Sequence, residues 1–234
     1  MPQVLETNQT QDFRRGRTEN FYPEQRADDM GESSWHNNLR ADLFLALNLF
    51  FSKCDDVFMT ANMNVYYVQG NADEWFAPDI LAAFGVPNYD RSIYKIWEEK
   101  VFPQVVIEIA SDRTWKTDTS EKLKLYEQLG AEEYYIFDSE NGKYISSSIL
   151  AFRRKGEEFL LIPIGNNKIF SPRLGLEIVK TENNIRLFNP QTNKFLPTLE
   201  ESAKELKSFE LRLSAAKIEK KRLKAEIERL KASN

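Results

Sequence analysis

The sequence predicts an α/β fold in which a central mixed β-sheet is flanked by helices. The apolar run at residues 105–111 indicates a buried strand, residues 118–128 form an amphipathic helical pattern, and residues 134–137 indicate the next strand. A strand, a helix and a strand in this order predict a crossover between neighbouring strands of one sheet. A chain of 234 residues, of which 41% are hydrophobic, is long enough to bury one full core.

The remaining elements follow from local patterns. Leu39, Leu43, Leu47 and Phe50 form one apolar helical stripe, which Ser33 or Ser34 can cap. Further strands are predicted at residues 57–59, 64–68 and 80–84, and Gly130 is placed to end the helix at 118–128. Three short strand-like runs between residues 143 and 179 predict an antiparallel extension of the sheet, at residues 143–152, 159–162 and 176–179.

The chain divides into three parts by composition. Residues 1–30 are polar and charged without periodicity and predict a loosely attached arm, residues 31–197 form the predicted domain, and residues 198–234 form a predicted coiled-coil helix. Eight of the ten heptad seam positions in the last part are apolar; the a and d positions are Leu199, Ser202, Leu206, Phe209, Leu213, Ala216, Lys220, Leu223, Ile227 and Leu230. This pattern favours a homo-oligomer joined through residues 199–230. The alternative is a helix that folds back on its own domain.

Composition excludes several classes of protein. Cys54 is the only cysteine and His36 the only histidine, which excludes a disulfide framework and a zinc site built from several Cys or His ligands. The single cysteine fits a reducing compartment, and no stretch is apolar enough to be an export signal or a membrane span, so a cytoplasmic location is expected. The net charge is −4, and the ten basic and seven acidic residues after residue 197 leave the preceding part clearly acidic. Contact with nucleic acid therefore requires a local basic patch.

Two acidic residues are candidates for a metal site. Glu108 lies inside the apolar strand at 105–111, and Asp79 directly precedes the strand at 80–84. Burying a carboxylate in an apolar strand is costly unless something compensates it. Two oxygen ligands on neighbouring strands suit Mg²⁺ and the cleavage of phosphodiester bonds. The alternative is that Glu108 is a core carboxylate satisfied by a nearby Arg, Lys or backbone donor.

Four blocks in series resemble one known family: Pro78-Asp79, residues 103–111 with Glu108, residues 118–126 with Asp118, Lys122 and Tyr126, and residues 130–138. Their order resembles the Uma-two family of endonuclease-like bacterial proteins, in the PD-(D/E)XK restriction-endonuclease-like superfamily. The resemblance covers roughly residues 32–180. It implies a restriction-endonuclease-like core around a mixed sheet, and a divalent-metal nuclease site.

The resemblance also implies roles for individual residues. Asp79 and Glu108 match the two acids of the superfamily and would bind Mg²⁺ or Mn²⁺. The usual lysine position, two residues after the second acid, holds Ala110. Lys122, in a D-x-x-x-K-x-x-x-Y pattern with Asp118 and Tyr126, is then the predicted catalytic lysine, and the two flanking residues would orient it. The alternative is that Lys122 forms only a surface ion pair with Asp118.

For three further residues, His36, Glu98 and Glu99, two interpretations stay open. His36 is either a group near the site or a cap or surface residue at the start of the first helix. Glu98 and Glu99 either reach a metal through water or are solvated charges. Two compact basic groups are candidates for phosphate contacts, namely Arg153-Arg154-Lys155 and the pair of Arg113 and Lys116.

These observations support two functions of different classes. The first is a metal-dependent endonuclease acting on DNA, with Asp79, Glu108 and Lys122 as the site. The second is a catalytically inactive nuclease-fold scaffold that oligomerises or binds a protein partner through its C-terminal helix. Ala110 and the acidic domain favour the scaffold, whereas the two converging acids and Lys122 favour the enzyme.

Overall fold

A computed structural model describes residues 33–138, 140, 142–182 and 184–232. The predicted arm at residues 1–30 lies outside the described residues. In chain order the elements are α1 (Ser34–Phe50), β1 (Val57–Thr60), β2 (Val65–Tyr66), β3 (Trp75–Phe76), β4 (Ile80–Phe84), β5 (Tyr94–Lys95), α2 (Ile96–Glu99), β6 (Val105–Ala110), α3 (Trp115–Asp118), α4 (Glu121–Leu129), β7 (Glu133–Asp138), β8 (Ile149–Lys155), β9 (Glu158–Leu161), β10 (Lys168–Ser171), β11 (Leu176–Lys180), β12 (Ile185–Asn189), β13 (Lys194–Phe195) and α5 (Leu199–Ala232).

The largest sheet has six strands in the order β1-β4-β6-β7-β8-β9. Strands β6 and β7 are parallel and the other neighbours are antiparallel, so the sheet is mixed. The crossover from β6 to β7 runs through α3 and α4, as the sequence predicts. An α/β fold with a mixed central sheet flanked by helices is therefore confirmed.

The central strand β6 separates two cores because its side chains alternate between the faces of the sheet. Val105, Ile107 and Ile109 pack on one face with α1 and with the small sheet β10-β11-β12-β13. Val106 and Ala110 pack on the other face with Tyr126 of α4. Glu108 is on this second face, which places its carboxylate beside α4.

The helix predicted at residues 118–128 is divided into two. Helix α3 ends at Asp118, and α4 begins at Glu121. The hydroxyls of Thr119 and Ser120 donate to the carbonyl oxygens of Trp115 and Lys116, at 2.8 and 2.5 Å. Such side-chain bonds compete with the helical hydrogen bonds of the backbone, which explains the break at this point. Gly130 ends α4 at φ +99°, as predicted.

The predicted extension of the sheet between residues 143 and 179 is partly wrong. Strand β8 begins only at Ile149, because the carboxylate of Asp138 accepts hydrogen bonds from the amides of Tyr144 and Ile145 and holds the preceding segment in turns. Strands β8 and β9 do extend the central sheet. Strand β11, however, pairs with β10 and β12 in a separate antiparallel sheet, whose other strands the sequence analysis did not predict.

Candidate active site

Asp79, which directly precedes β4, lies beside Glu108 of the neighbouring antiparallel strand β6. The register of β4 and β6 pairs Ile80 with Ile107, and its continuation by one residue sets Asp79 against Glu108. The two carboxylates are close enough for the negative charge of Asp79 to raise the pKa of Glu108. Asp79 is 8% exposed and Glu108 2%. Two carboxylates in such positions repel one another unless a proton or a cation intervenes.

Three groups hold the Asp79 carboxylate. Nε2 of His36 lies 2.7 Å from Oδ1, Nη1 of Arg40 donates to the same oxygen at 3.4 Å, and the amide of Ile109 donates to Oδ2 at 2.7 Å. Burial acts to raise the pKa of Asp79, but His36, the Ile109 amide and the charge of Lys122 together bring it below its ordinary value. Asp79 is therefore held as a carboxylate.

Glu108 is held by two groups of α4. The hydroxyl of Tyr126 donates to Oε1 at 2.6 Å, and Nζ of Lys122 lies 3.0 Å from Oε2. Burial raises the pKa of Glu108 to about 8, and the negative charges of Asp118 and Asp79 act in the same direction. Lys122 and Tyr126 oppose the shift without cancelling it. The alternative of a core carboxylate satisfied by a lysine thus describes the contacts of Glu108 in this structure.

Lys122 bridges two buried carboxylates. Its ammonium lies 2.8 Å from Oδ1 of Asp118 as well as 3.0 Å from Glu108, and its side chain is 24% exposed. Burial acts to lower the pKa of Lys122, but Glu108 and Asp118 outweigh burial and raise it above its ordinary value. Asp118 is fully buried, and burial raises its pKa. Lys122 does pair with Asp118, as the alternative interpretation predicts. The pair is not a surface pair, however, because Asp118 lies in the interior.

The structure also explains how the chain accommodates Ala110. This residue lies on the same face of β6 as Glu108 and is 1% exposed. Lys122 reaches Glu108 from α4, on that same face, so an ammonium group lies beside the second acid without a lysine on the strand. Asp118 contacts the Lys122 ammonium, whereas Tyr126 contacts Glu108.

Helix α1 supplies two further residues. His36 is 5% exposed, so its interpretation as a cap or surface group is wrong. Its ring lies beside the Asp79 carboxylate. Arg40 was not among the sequence candidates, although its position one helical turn after His36 places both side chains on one face of α1. That spacing, taken with a predicted packing of α1 on the sheet, was the available signal.

Other candidates lie elsewhere. Glu99 pairs with Arg91, and Glu98 pairs with Lys95. Both glutamates therefore have partners other than Asp79, Glu108 and Lys122. Arg153 faces Glu133 at the end of the sheet that holds Val105, and not at the end that holds Ala110. Arg154 donates to the carbonyl oxygens of Ala131 and Glu127, which is a structural role. Arg113 and Lys116 are exposed and directly follow β6 at the site end.

The donor set suits a hard divalent cation. No group of three or more His, Cys, Asp or Glu side chains forms a ready-made cage within the described ranges. Mg²⁺ nevertheless binds through one or two carboxylates and keeps several waters, which substrate phosphates can replace. Asp79 and Glu108 provide those oxygens and carry the mutual repulsion that a cation would relieve. These two residues would hold the ion.

Comparison with known proteins gives one family. The model of the Uma2 family, described as "putative restriction endonuclease", matches residues 24–179, which is more than half of the chain. The chain belongs to the Uma2 family. This Uma2 protein also matches the crystal structure of a putative nuclease of DUF820 from Anabaena variabilis ATCC 29413, at 13% identity and a TM-score of 0.47, covering 61% of this chain and 75% of that one. A search of the curated proteins gives no significant match.

No helix in the described part of the chain combines enough length with enough apolar character to cross a membrane.

Proposed function

We propose that this protein is a metal-dependent endonuclease that hydrolyses phosphodiester bonds in DNA. Asp79 and Glu108 bind Mg²⁺ or Mn²⁺, and Lys122 is the catalytic lysine. The observation that carries the proposal is the placement of Asp79, directly before β4, beside Glu108 of β6, with the Lys122 ammonium 3.0 Å from Glu108. The Uma2 family match supports the same class of function.

Each residue has a separate task in this reaction. A metal ion held by Asp79 and Glu108 would supply Lewis acidity and lower the pKa of water in the site. Asp118 holds the Lys122 ammonium at 2.8 Å, and this charge can orient the attacking water and offset the negative charge that develops on the phosphate oxygens. His36 and the Ile109 amide fix the Asp79 carboxylate in its ionised form. The site is thus arranged before substrate binds.

The charge of the protein limits how DNA binds. Residues 1–197 carry 22 basic and 29 acidic side chains, so the domain as a whole repels a polyanion. Arg113 and Lys116 are exposed beside the site end of β6 and are the proposed phosphate contacts. Binding then depends on the metal and on these few cations, which predicts a modest affinity that falls with salt. The single cysteine fits a cytosolic location, and self-association through residues 199–230 completes the proposal.

A scaffold without catalysis is the second candidate. It is favoured by Ala110 at the usual lysine position and by the exposed C-terminal helix, which has no buried residue. In that function the pairing of Lys122 with Glu108 and Asp118 is only a buried ion network. The two candidates differ in metal binding and in turnover.

The first test titrates Mn²⁺ and Mg²⁺ calorimetrically into wild type, Asp79→Ala and Glu108→Ala, with supercoiled plasmid incubated under the same ions. We expect metal-dependent nicking by wild type, and loss of both binding and nicking in each variant. Glu133→Gln is the matched control, since Glu133 is 1% exposed but bonds to Tyr135 and Ser171 on β7 and β10. Absence of metal binding and of nicking in the wild type would contradict the nuclease proposal and favour the scaffold function.

Lys122 is tested separately from the ligands. In Lys122→Met we expect metal binding to persist and nicking to fall by about 100-fold or more. Lys124→Met is the control, because Lys124 is exposed on the same helix and contacts neither acid. Equal activity of the two variants would show that Lys122 is not a catalytic residue, and it would not contradict the proposed metal site.

A further inference from the structure

Helix α5 presents a row of large apolar side chains to solvent. Residues 203–232 are all exposed, and the seam residues Leu206, Phe209, Leu213, Leu223, Ile227 and Leu230 are each between 44% and 60% exposed. The first turn of α5 contacts the domain, through the Leu199 amide on Asp42 and through Glu201 on Arg186. A helix of 34 residues with such a stripe requires a partner to cover it.

We propose that this partner is the same helix of a second copy of the chain, and that the two helices run antiparallel. The argument depends on which residues meet in the seam and on how charge is distributed along α5. It rests on the self-association proposed above and deepens it, and it does not depend on nuclease activity.

A parallel pair would place each seam residue against its own copy. Lys220 would then face Lys220 of the second copy, and two like charges in a seam are unfavourable. The layers would also be uneven, since Phe209 would meet Phe209 whereas Ala216 would meet Ala216. Over-filled and under-filled layers both cost stability.

An antiparallel pair over the full helix removes these conflicts. In this register a positions meet d positions of the second copy, and the layers are Leu199 with Leu230, Ser202 with Ile227, Leu206 with Leu223, Phe209 with Lys220, and Leu213 with Ala216. No layer then holds two phenylalanines, two alanines or two lysines. The Lys220 stem packs on the Phe209 ring, and its ammonium is free to reach the solvent at the seam edge.

The charges along α5 favour the same orientation. Residues 199–215 contain three basic and four acidic side chains, whereas residues 216–232 contain seven basic and three acidic. A parallel pair joins the two strongly basic halves to one another. An antiparallel pair joins each basic half to a slightly acidic one, which lowers the repulsion between the helices.

The orientation sets the arrangement of the two domains. Helix α5 spans about 50 Å at about 1.5 Å per residue, and each domain is attached at its first turn. An antiparallel pair therefore attaches the two domains at opposite ends of the rod. If the proposed function holds, the dimer has two well-separated sites that act on separate phosphodiesters.

Spin labels at two equivalent outer positions measure the orientation. Ser214 and Glu228 occupy the same b position of the heptad and are both exposed, so each is replaced by cysteine in a Cys54→Ser background and labelled. Distances between labels are measured by pulsed electron paramagnetic resonance on the full chain. In the antiparallel pair the labels at 214 are close together because they flank its centre, and the labels at 228 are about 40 Å apart along the axis.

The outcomes distinguish all arrangements. A short distance at both positions would show a parallel pair, and no dipolar coupling at either would show that α5 does not self-associate; each result overturns the proposal. Leu223→Glu should abolish the coupling at 214 because it breaks the seam. Ile218→Glu, at an apolar residue on the outer face that is 71% exposed against 53% for Leu223, should leave the coupling unchanged. None of these readouts depends on catalysis.

Discussion

At the scale of single residues, the central feature is Glu108, whose carboxylate is held between a neutral donor and a cation. Tyr126 donates to one oxygen at 2.6 Å, and the Lys122 ammonium lies 3.0 Å from the other. The same lysine also pairs with Asp118, and Asp79 lies nearby, directly before β4. Because one ammonium serves two buried acids, the metal-free site favours a bound proton. A divalent cation would compete with that proton.

Removing the Tyr126 hydroxyl tests the neutral donor. In Tyr126→Phe we expect the free energy of unfolding to fall by about 1–2 kcal/mol, since a buried acceptor loses its donor. The measurement is urea unfolding at several pH values. Tyr94→Phe is the control, because Tyr94 is equally buried and donates to the Val101 carbonyl away from the site. Both variants should lose stability, but only Tyr126→Phe should alter the pH dependence.

The pKa of Glu108 predicts how the stability of the metal-free protein varies with pH. Its value is about 8 in the folded protein against 4.5 ordinarily, so between these values the folded state holds a proton that the unfolded chain has released. The free energy of unfolding therefore falls as pH rises through this window, by at most about 1.4 kcal/mol per pH unit for one proton. Asp118, whose pKa is also raised, adds to the same trend.

Urea unfolding in the presence of a chelator, at intervals between pH 5 and about 8, measures this slope. Glu108→Gln mimics the protonated carboxyl and should flatten the profile. A profile that rises with pH in wild type would show that Glu108 is ionised throughout the window.

At the scale of elements, α1 joins the cap of a helix to the geometry of the site. The Ser33 hydroxyl accepts from the His36 amide at 3.2 Å and caps the first turn, while the His36 ring contacts Asp79. Fraying of this turn would therefore loosen a contact to one of the two acids. The break between α3 and α4 lies between Asp118 and Lys122. The side chains of these two residues nevertheless form an ion pair.

Ser33→Ala should lower the free energy of unfolding by about 1 kcal/mol through loss of the cap. Thermal and urea unfolding measure the change. Ser34→Ala is the matched control, because Ser34 is the first helical residue and is exposed, and no cap depends on its side chain. Equal effects of the two substitutions would mean that the Ser33 cap contributes nothing specific.

At the scale of the whole molecule, the helix α5 and the domain share few contacts. No residue of α5 is buried, and Leu199 and Glu201 in its first turn link it to the domain. The domain boundary near residue 197 therefore remains a prediction that a truncation can test. A chain of residues 1–202 keeps the pairing of Glu201 with Arg186.

We expect this truncated chain to be monomeric by light scattering and to unfold cooperatively, with a midpoint within about 4 °C of the full chain. The reason is that the truncation removes no buried residue of the described structure. Loss of cooperative unfolding would place α5 within the folding unit and contradict the predicted boundary.

The sequence by itself determined the order of the main strands and helices, the positions of Asp79, Glu108 and Lys122, and the heptad seam of α5. Local periodicity predicts the strands, the helices and the heptad pattern, whereas the resemblance to the Uma2 family is what singles out Lys122 beside the two acids. Only the tertiary structure decided which groups neutralise the acids, since His36 and Asp79 are 43 residues apart in the chain. It also decided that the late strands form a second sheet, because strand pairing depends on the burial of whole faces and not on the strand's own pattern. The Thr119-Ser120 break likewise depends on hydroxyl bonds that compete with the helix.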